Sequence, residues 1–155
     1  MQPITTILFA TDFSEVSDHA FAYAATFAAR LKARLVVLHV VAHQTDLRDY
    51  YVPHISFEDL DREIEAGAQK RMDDYARQWS QEFPDLTTSV VTGIPAEEIL
   101  AKAEAVKASL IIMGTHGRRG FDHFIFGSTA EKVVKTASCP VLTVRPPKQP
   151  QDVNA

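Results

Sequence analysis

The run Leu110-Ile111-Ile112-Met113-Gly114-Thr115-His116-Gly117, continued to Gly127-Ser128, decides how the rest of the chain is read. It opens as four consecutive apolar residues, breaks at glycine, and ends where an apolar-periodic segment, Ser128 to Ala137, begins. A strand, a glycine-punctuated loop and a helix start, in that order, place bare backbone N–H groups around an anion. Gly114, Gly117 and Gly127 let backbone approach without a Cβ in the way. Ser128 and Thr129 supply first-turn N–H groups and hydroxyls, and Arg118 and Arg119 bring local positive charge suited to phosphates. On spacing alone the loop serves equally well as a surface turn whose Ser128 caps a helix.

The elements on either side repeat the same grammar. Ile4 to Ala10 is a short β-branched and aromatic run and reads as a buried strand. After the turn residues Thr11-Asp12-Phe13-Ser14, the residues Val16, Ala20, Ala24, Phe27, Ala28 and Leu31 recur at helical spacing and predict a helix over 15–32 with that stripe inward. Leu35 to Val41 is almost continuously apolar, as in strands covered on both faces. Ala42 to Ile55 has no period. Ser56 with Glu58 and Asp59 starts a long helix whose stripe runs from Phe57 through Leu60, Ile64, Ala68, Met72 and Tyr75 to Trp79.

Leu86 to Thr92 predicts a third strand, and Pro95 suits the first turn of the helix bearing Ile99, Leu100, Ala103 and Val106. Ser128-Thr129-Ala130-Glu131 reads as a capping box, with Val133, Val134 and Ala137 facing inward. Pro140 to Val144 is the fifth strand. The pattern predicts one α/β domain over 1–146, followed by a polar tail over 147–155. It is a single doubly wound five-stranded parallel sheet with helices on both faces. In the order 3-2-1-4-5, strands one and four are neighbours where the winding reverses, and ligands bind outside the strand ends there.

Composition excludes several function classes. The 155 residues fit one domain, and a formal charge of −4 argues against bulk affinity for nucleic acid or an anionic membrane. One cysteine, Cys139, fits a reducing compartment, and the start Met1-Gln2-Pro3-Ile4 lacks a signal-peptide pattern. The most apolar helical stretch falls short of the roughly 20 residues of a membrane span. The expectation is a cytoplasmic protein. The six histidines, among them His39, carry no metal-ligand spacing and read as solvated or loosely packed. The Walker loop, the dinucleotide fingerprint and the G-x-S-x-G elbow are all missing.

Asp12, at the end of strand one, could accept hydrogen bonds from ribose hydroxyls or an adenine amine, or could cap the first helix. Ser14 is an alternative cap, which leaves Asp12 freer. Val41, at the end of strand two, could read an adenine edge through its backbone or could simply pack.

Strand one ending in Thr11-Asp12-Phe13-Ser14, strand two ending in His39-Val40-Val41, and Gly93-Ile94-Pro95 resemble the universal stress protein family. So do Gly114-x2-Gly117-x9-Gly127-Ser128 and Cys139-Pro140-Val141-Leu142-Thr143-Val144-Arg145. The resemblance covers residues 1 to about 146, and its spaced glycines mark ATP-binding members. It implies an adenine nucleotide alpha-hydrolase-like fold, with Asp12 and Val41 at the adenosine and Met113, Gly114, Gly117, Gly127, Ser128 and Thr129 along ribose and phosphates. Arg118 matches a position that is often basic.

It further implies a regulatory stress-response protein that binds ATP, or AMP or ADP, with Mg²⁺ bridging the phosphates. It also implies a homodimer paired through strand five, where Val141, Leu142 and Val144 would form an exposed apolar edge. Slow or absent hydrolysis is expected, because no convincing general base is legible. A slow ATPase, an adenylating enzyme or a nucleotide-independent interaction module is the alternative. In the last of these, Tyr50, Tyr51 and His54 would contact a partner.

Overall fold

Every residue of the first strand, β1 (Thr6–Thr11), is buried, and its side chains divide alternately between two layers. Ile7 and Phe9 join one apolar cluster while Leu8 and Ala10 join the other. The same alternation runs through β2 (Arg34–Ala42), where Leu35 and Val37 oppose Val36 and Leu38, and through β4 (Leu110–Gly114), where Leu110 and Ile112 oppose Ile111 and Met113. Such strands are apolar on both sides because helices cover both. The computed structural model describes residues 2–42, 56–115 and 126–146.

With β3 (Thr87–Gly93) and β5 (Val141–Val144), the strands form one parallel sheet in the order β3-β2-β1-β4-β5. Helices α1 (Glu15–Leu31) and α2 (Phe57–Trp79) cover one face, with Ala20, Phe21, Ala24 and Met72 in that core. Helices α3 (Pro95–Ala105) and α4 (Ser128–Thr136) cover the other through Ala96, Ile99, Ala103, Ala130 and Val133. Fully burying a side chain such as Phe9 or Ile112 contributes about 1.5–3 kcal/mol, so the two layers carry most of the driving force. Among the described residues no helix is long and apolar enough to cross a membrane.

Three expected faces are displaced. The buried stripe of α1 is Ser17, Ala20, Phe21, Ala24 and Ala28, so Phe27 and Leu31 lie exposed beside Tyr23. The reason is α2: Phe21 packs against Trp79 at 4.8 Å and Tyr75 at 5.0 Å, which turns the helix toward its neighbour. On α4, Val133 is buried and Val134 is exposed. Val144 is core rather than edge, sitting in the α1-side cluster, while Val141 and Leu142 are half-buried.

The amino end of the sheet is fastened. The Ser109 hydroxyl accepts the backbone N–H groups of both Thr5 and Thr6 at 3.0 Å. Ser109 N–H in turn donates to the Thr6 carbonyl, and Arg34 N–H to that of Thr5. The carboxyl end carries the strand-to-helix turns. At one of these, Gly93, the space that a Cβ would take is filled by the Glu98 side chain of α3, with Oε1 at 2.6 Å.

Candidate functional site

The sheet opens at the carboxyl ends of β1 and β4. The β1–β2 register ends at Thr11 opposite His39, and the β1–β4 register at Ala10 opposite Met113. From there β1 leads into α1 on one face, while β4 leads toward α4 on the other. β2 runs on against β3 as far as Ala42 opposite Gly93, and Gly114 remains paired with Val144. This is a topological switch point, and Asp12 and Gly114 leave it from adjacent strands.

The β1–α1 turn is knotted to itself. Ser14 caps α1 by accepting the Ser17 N–H at 3.2 Å. Asp12 Oδ1 accepts from the Ser14 N–H at 3.1 Å and from the hydroxyls of Ser14 and Ser17, each at 2.6 Å. The carboxylate is therefore more engaged than the expectation of a freer Asp12 allowed. Ser14 is indeed the cap, but its hydroxyl turns back onto the aspartate. Such charge-assisted bonds hold the carboxylate in one orientation.

Between them, Phe13 adopts a left-handed backbone with φ 59°, which costs a bulky residue on the order of 1–3 kcal/mol. Its N–H donates to Thr11 Oγ1 at 3.0 Å, and its carbonyl accepts from Arg71 Nη2 of α2 at 3.4 Å. Its ring lies 4.4 Å from that of His39 and 4.8 Å beneath the Arg71 guanidinium. His39 is thus packed rather than loose, and Nδ1 donates to the Thr11 carbonyl at 2.8 Å, which places its proton on that nitrogen.

The β4–α4 turn is built the opposite way. Thr115 is buried, donates its N–H to the Val144 carbonyl and accepts the Gly127 N–H at 2.8 Å. That bond brings Gly127 back to the end of β4. Gly127 itself, with extended backbone, is the N-cap of α4, and among the described residues no side chain caps the helix. The expected capping box is therefore absent, because Ser128 is already the first helical residue. Glu131, which would have reached back, instead takes a hydrogen bond from Lys135, and that contact lowers the Glu131 pKa. The first-turn N–H groups of a helix attract anions through both their donors and the helix dipole.

Of the expected site residues, Asp12, Met113, Gly114, Gly127, Ser128 and Thr129 gather around this opening. Met113 is buried and Gly114 half-buried. Val41 is buried on β2 beyond the end of β1, paired with Thr92. Gly117 and Arg118 lie outside the described residues, as do Tyr50, Tyr51 and His54. Sequence reasoning placed Phe13 in the turn but missed that His39 and Arg71 hold it there. Phe13 and Arg71 are 58 positions apart, and no local signal joins them.

The surroundings of Asp12 are negative. Burial raises the Asp18 carboxyl above its ordinary pKa; Arg71 counters this, while Asp12 and Glu15 add to it. A cleft of about 400 Å³ between α1 and α2 is lined by Phe13, Asp18, Phe21, Arg71, Asp74 and Tyr75, among others. Its carboxylates do not suit a phosphate. Burial, then Asp18, pushes the Tyr75 hydroxyl above its usual range, and that buried oxygen has no hydrogen-bond partner among the described residues.

The sequence profile described as the Universal stress protein family matches residues 3–145. The chain belongs to the universal stress protein family. Universal stress protein MJ0531 of Methanocaldococcus jannaschii is 36% identical over 148 residues, covering 92% of this chain and 83% of that protein. Among solved structures, universal stress protein UspA from Lactobacillus plantarum superposes with a TM-score of 0.79 at 28% identity, covering 94% of this chain and all of that one. A universal stress protein solved in complex with cAMP shares the fold, with a TM-score of 0.67 at 21% identity over 93% of this chain and 98% of that one.

Proposed function

We propose that this protein binds ATP at the carboxyl ends of β1 and β4 and acts as a cytoplasmic regulatory protein of stress response rather than as a hydrolase. The observation that supports the reading is the β4–α4 turn, where a helix whose N-cap is Gly127, with no side-chain cap among the described residues, begins beside the switch point of the sheet. An anion of several charges complements that end. The phosphates lie along Gly114, Gly117, Arg118, Gly127, Ser128 and Thr129. The ribose meets the held carboxylate of Asp12, and the adenine lies toward Val41, with Met113 beneath the nucleotide. In support, a universal stress protein of the same fold has been solved in complex with cAMP, which is also an adenine nucleotide.

Mg²⁺ would neutralise phosphate charge, reached from Asp12 by way of water. AMP and ADP fit the adenosine half equally. Hydrolysis is slow or absent in this reading, because the carboxylate nearest the opening is held in one orientation by three hydrogen bonds to Oδ1 and faces the ribose rather than an attacking water. A homodimer paired along β5 would cover the half-buried Val141 and Leu142 on a sheet edge.

Thermal unfolding with millimolar AMP, ADP and ATP tests the binding. A Tm that rises with each nucleotide supports the site, and a Tm unmoved by all three removes it.

A further inference from the structure

We infer that Arg71, on helix α2, positions Asp12 for the nucleotide by clamping Phe13, so that occupancy of the site and the seating of α2 are coupled. The inference rests on the nucleotide reading above. Phe13 follows Asp12 directly and holds a backbone conformation that a phenylalanine seldom adopts, with φ 59°. Such a conformation persists only where the surroundings over-determine it. Here two elements outside the turn do so.

From β2, the His39 ring packs against that of Phe13, tilted by 35° at 4.4 Å, and donates to the Thr11 carbonyl at 2.8 Å. From α2, Arg71 lies over the ring at 4.8 Å while Nη2 donates to the Phe13 carbonyl at 3.4 Å. One guanidinium thus grips both the side chain and the main chain of the residue beside the ribose carboxylate. His39 belongs to the rigid sheet, whereas Arg71 sits on the exposed face of a helix. A shift of α2 would loosen Phe13 and let Asp12 turn. By reciprocity, a nucleotide that needs Asp12 in place would tighten α2.

The test compares Arg71→Met, which keeps the apolar stem, with Arg77→Ala, which removes an exposed arginine of the same helix that pairs with Asp74 and donates to the Asp73 carbonyl, neither of them a contact to Phe13. Calorimetric titration with ATP should give roughly three- to tenfold weaker binding for Arg71→Met, the scale of one exposed cation–π contact with a long hydrogen bond. Arg77→Ala should match wild type. Amide exchange at Phe13 and Ser14, measured without nucleotide, should quicken in Arg71→Met alone.

Should Arg71→Met fail to fold, Phe13→Gly relieves the backbone conformation while removing the clamped ring, and should weaken ATP to a similar degree. Wild type and Arg71→Met binding ATP equally would overturn the positioning role and leave the site intact. Wild type failing to bind ATP would remove the site, and the coupling with it.

Discussion

Two strand-to-helix turns leave the same opening in this sheet, and they treat their backbone donors in opposite ways. After β1, the helix end is sealed from within: Ser14 takes a first-turn N–H, and Asp12 holds Ser14 and Ser17 in turn. After β4, the N-cap Gly127 supplies no side chain, and no described side chain caps the first turn of α4. The first turn is also acidic, with Asp12, Glu15 and Asp18 around the start of α1. An anion placed between them is repelled on one side and received on the other. In the proposed reading a nucleotide would lie with its phosphates toward α4 and its sugar toward Asp12.

Making the two turns alike is the most direct way to break this comparison. Gly127→Asp would give α4 the cap that it lacks and place a negative charge at its start. ATP should bind about 100-fold more weakly, from lost donors and added repulsion. Tm should hold or rise slightly, since aspartate caps at least as well as glycine. A variant that loses stability and keeps its ATP affinity would contradict the assignment of the phosphates to this turn.

The converse change is Asp12→Ala, which leaves three donors of the β1–α1 turn without their acceptor. Urea unfolding should show a loss of about 2 kcal/mol, together with weaker nucleotide binding. If only binding falls, the carboxylate is not the structural centre of its turn.

The smallest effect concerns Asp18. Its folded pKa is raised, first by burial, so the folded state binds its proton more tightly than the unfolded chain does. Its favourable contribution is complete below the ordinary value of 3.8 and is lost as pH rises through the raised one. Asp18→Asn should therefore raise Tm slightly at pH 7, and the gain should vanish as pH falls below 3.8. A gain that persists in acid would point to a cause other than charge.

The element order was legible because each strand is a short apolar run and each helix carries its own period and start signal. Ser14, Ser56 and Pro95 open α1, α2 and α3 as their residue types suggest. The parallel sheet and its switch point followed from that order. At α4 the pattern Ser128-x-x-Glu131 imitated a capping box, but local pattern cannot say which residue first turns helical. The Thr115–Gly127 bond places that boundary one residue earlier.

Phe27 and Leu31 were misplaced for a related reason. Apolar periodicity fixes a stripe only to within a residue or so, and the packing of Phe21 on Trp79 chose the face. The gathering of Phe13, His39 and Arg71 was invisible, because it joins a turn, a strand and a helix far apart in sequence.

The Ser109 fastening at the amino end of the sheet bears on how such a chain can diverge. One hydroxyl gathers the N–H groups of Thr5 and Thr6, so β1 and β4 enter the sheet already in step. Alignment of the strands is thereby decided at the end away from the switch point. The stretches following β2 and β4, residues 43–55 and 116–125, both attach at the other end. Insertions, deletions and new chemistry can accumulate there without shifting a single strand against its neighbour.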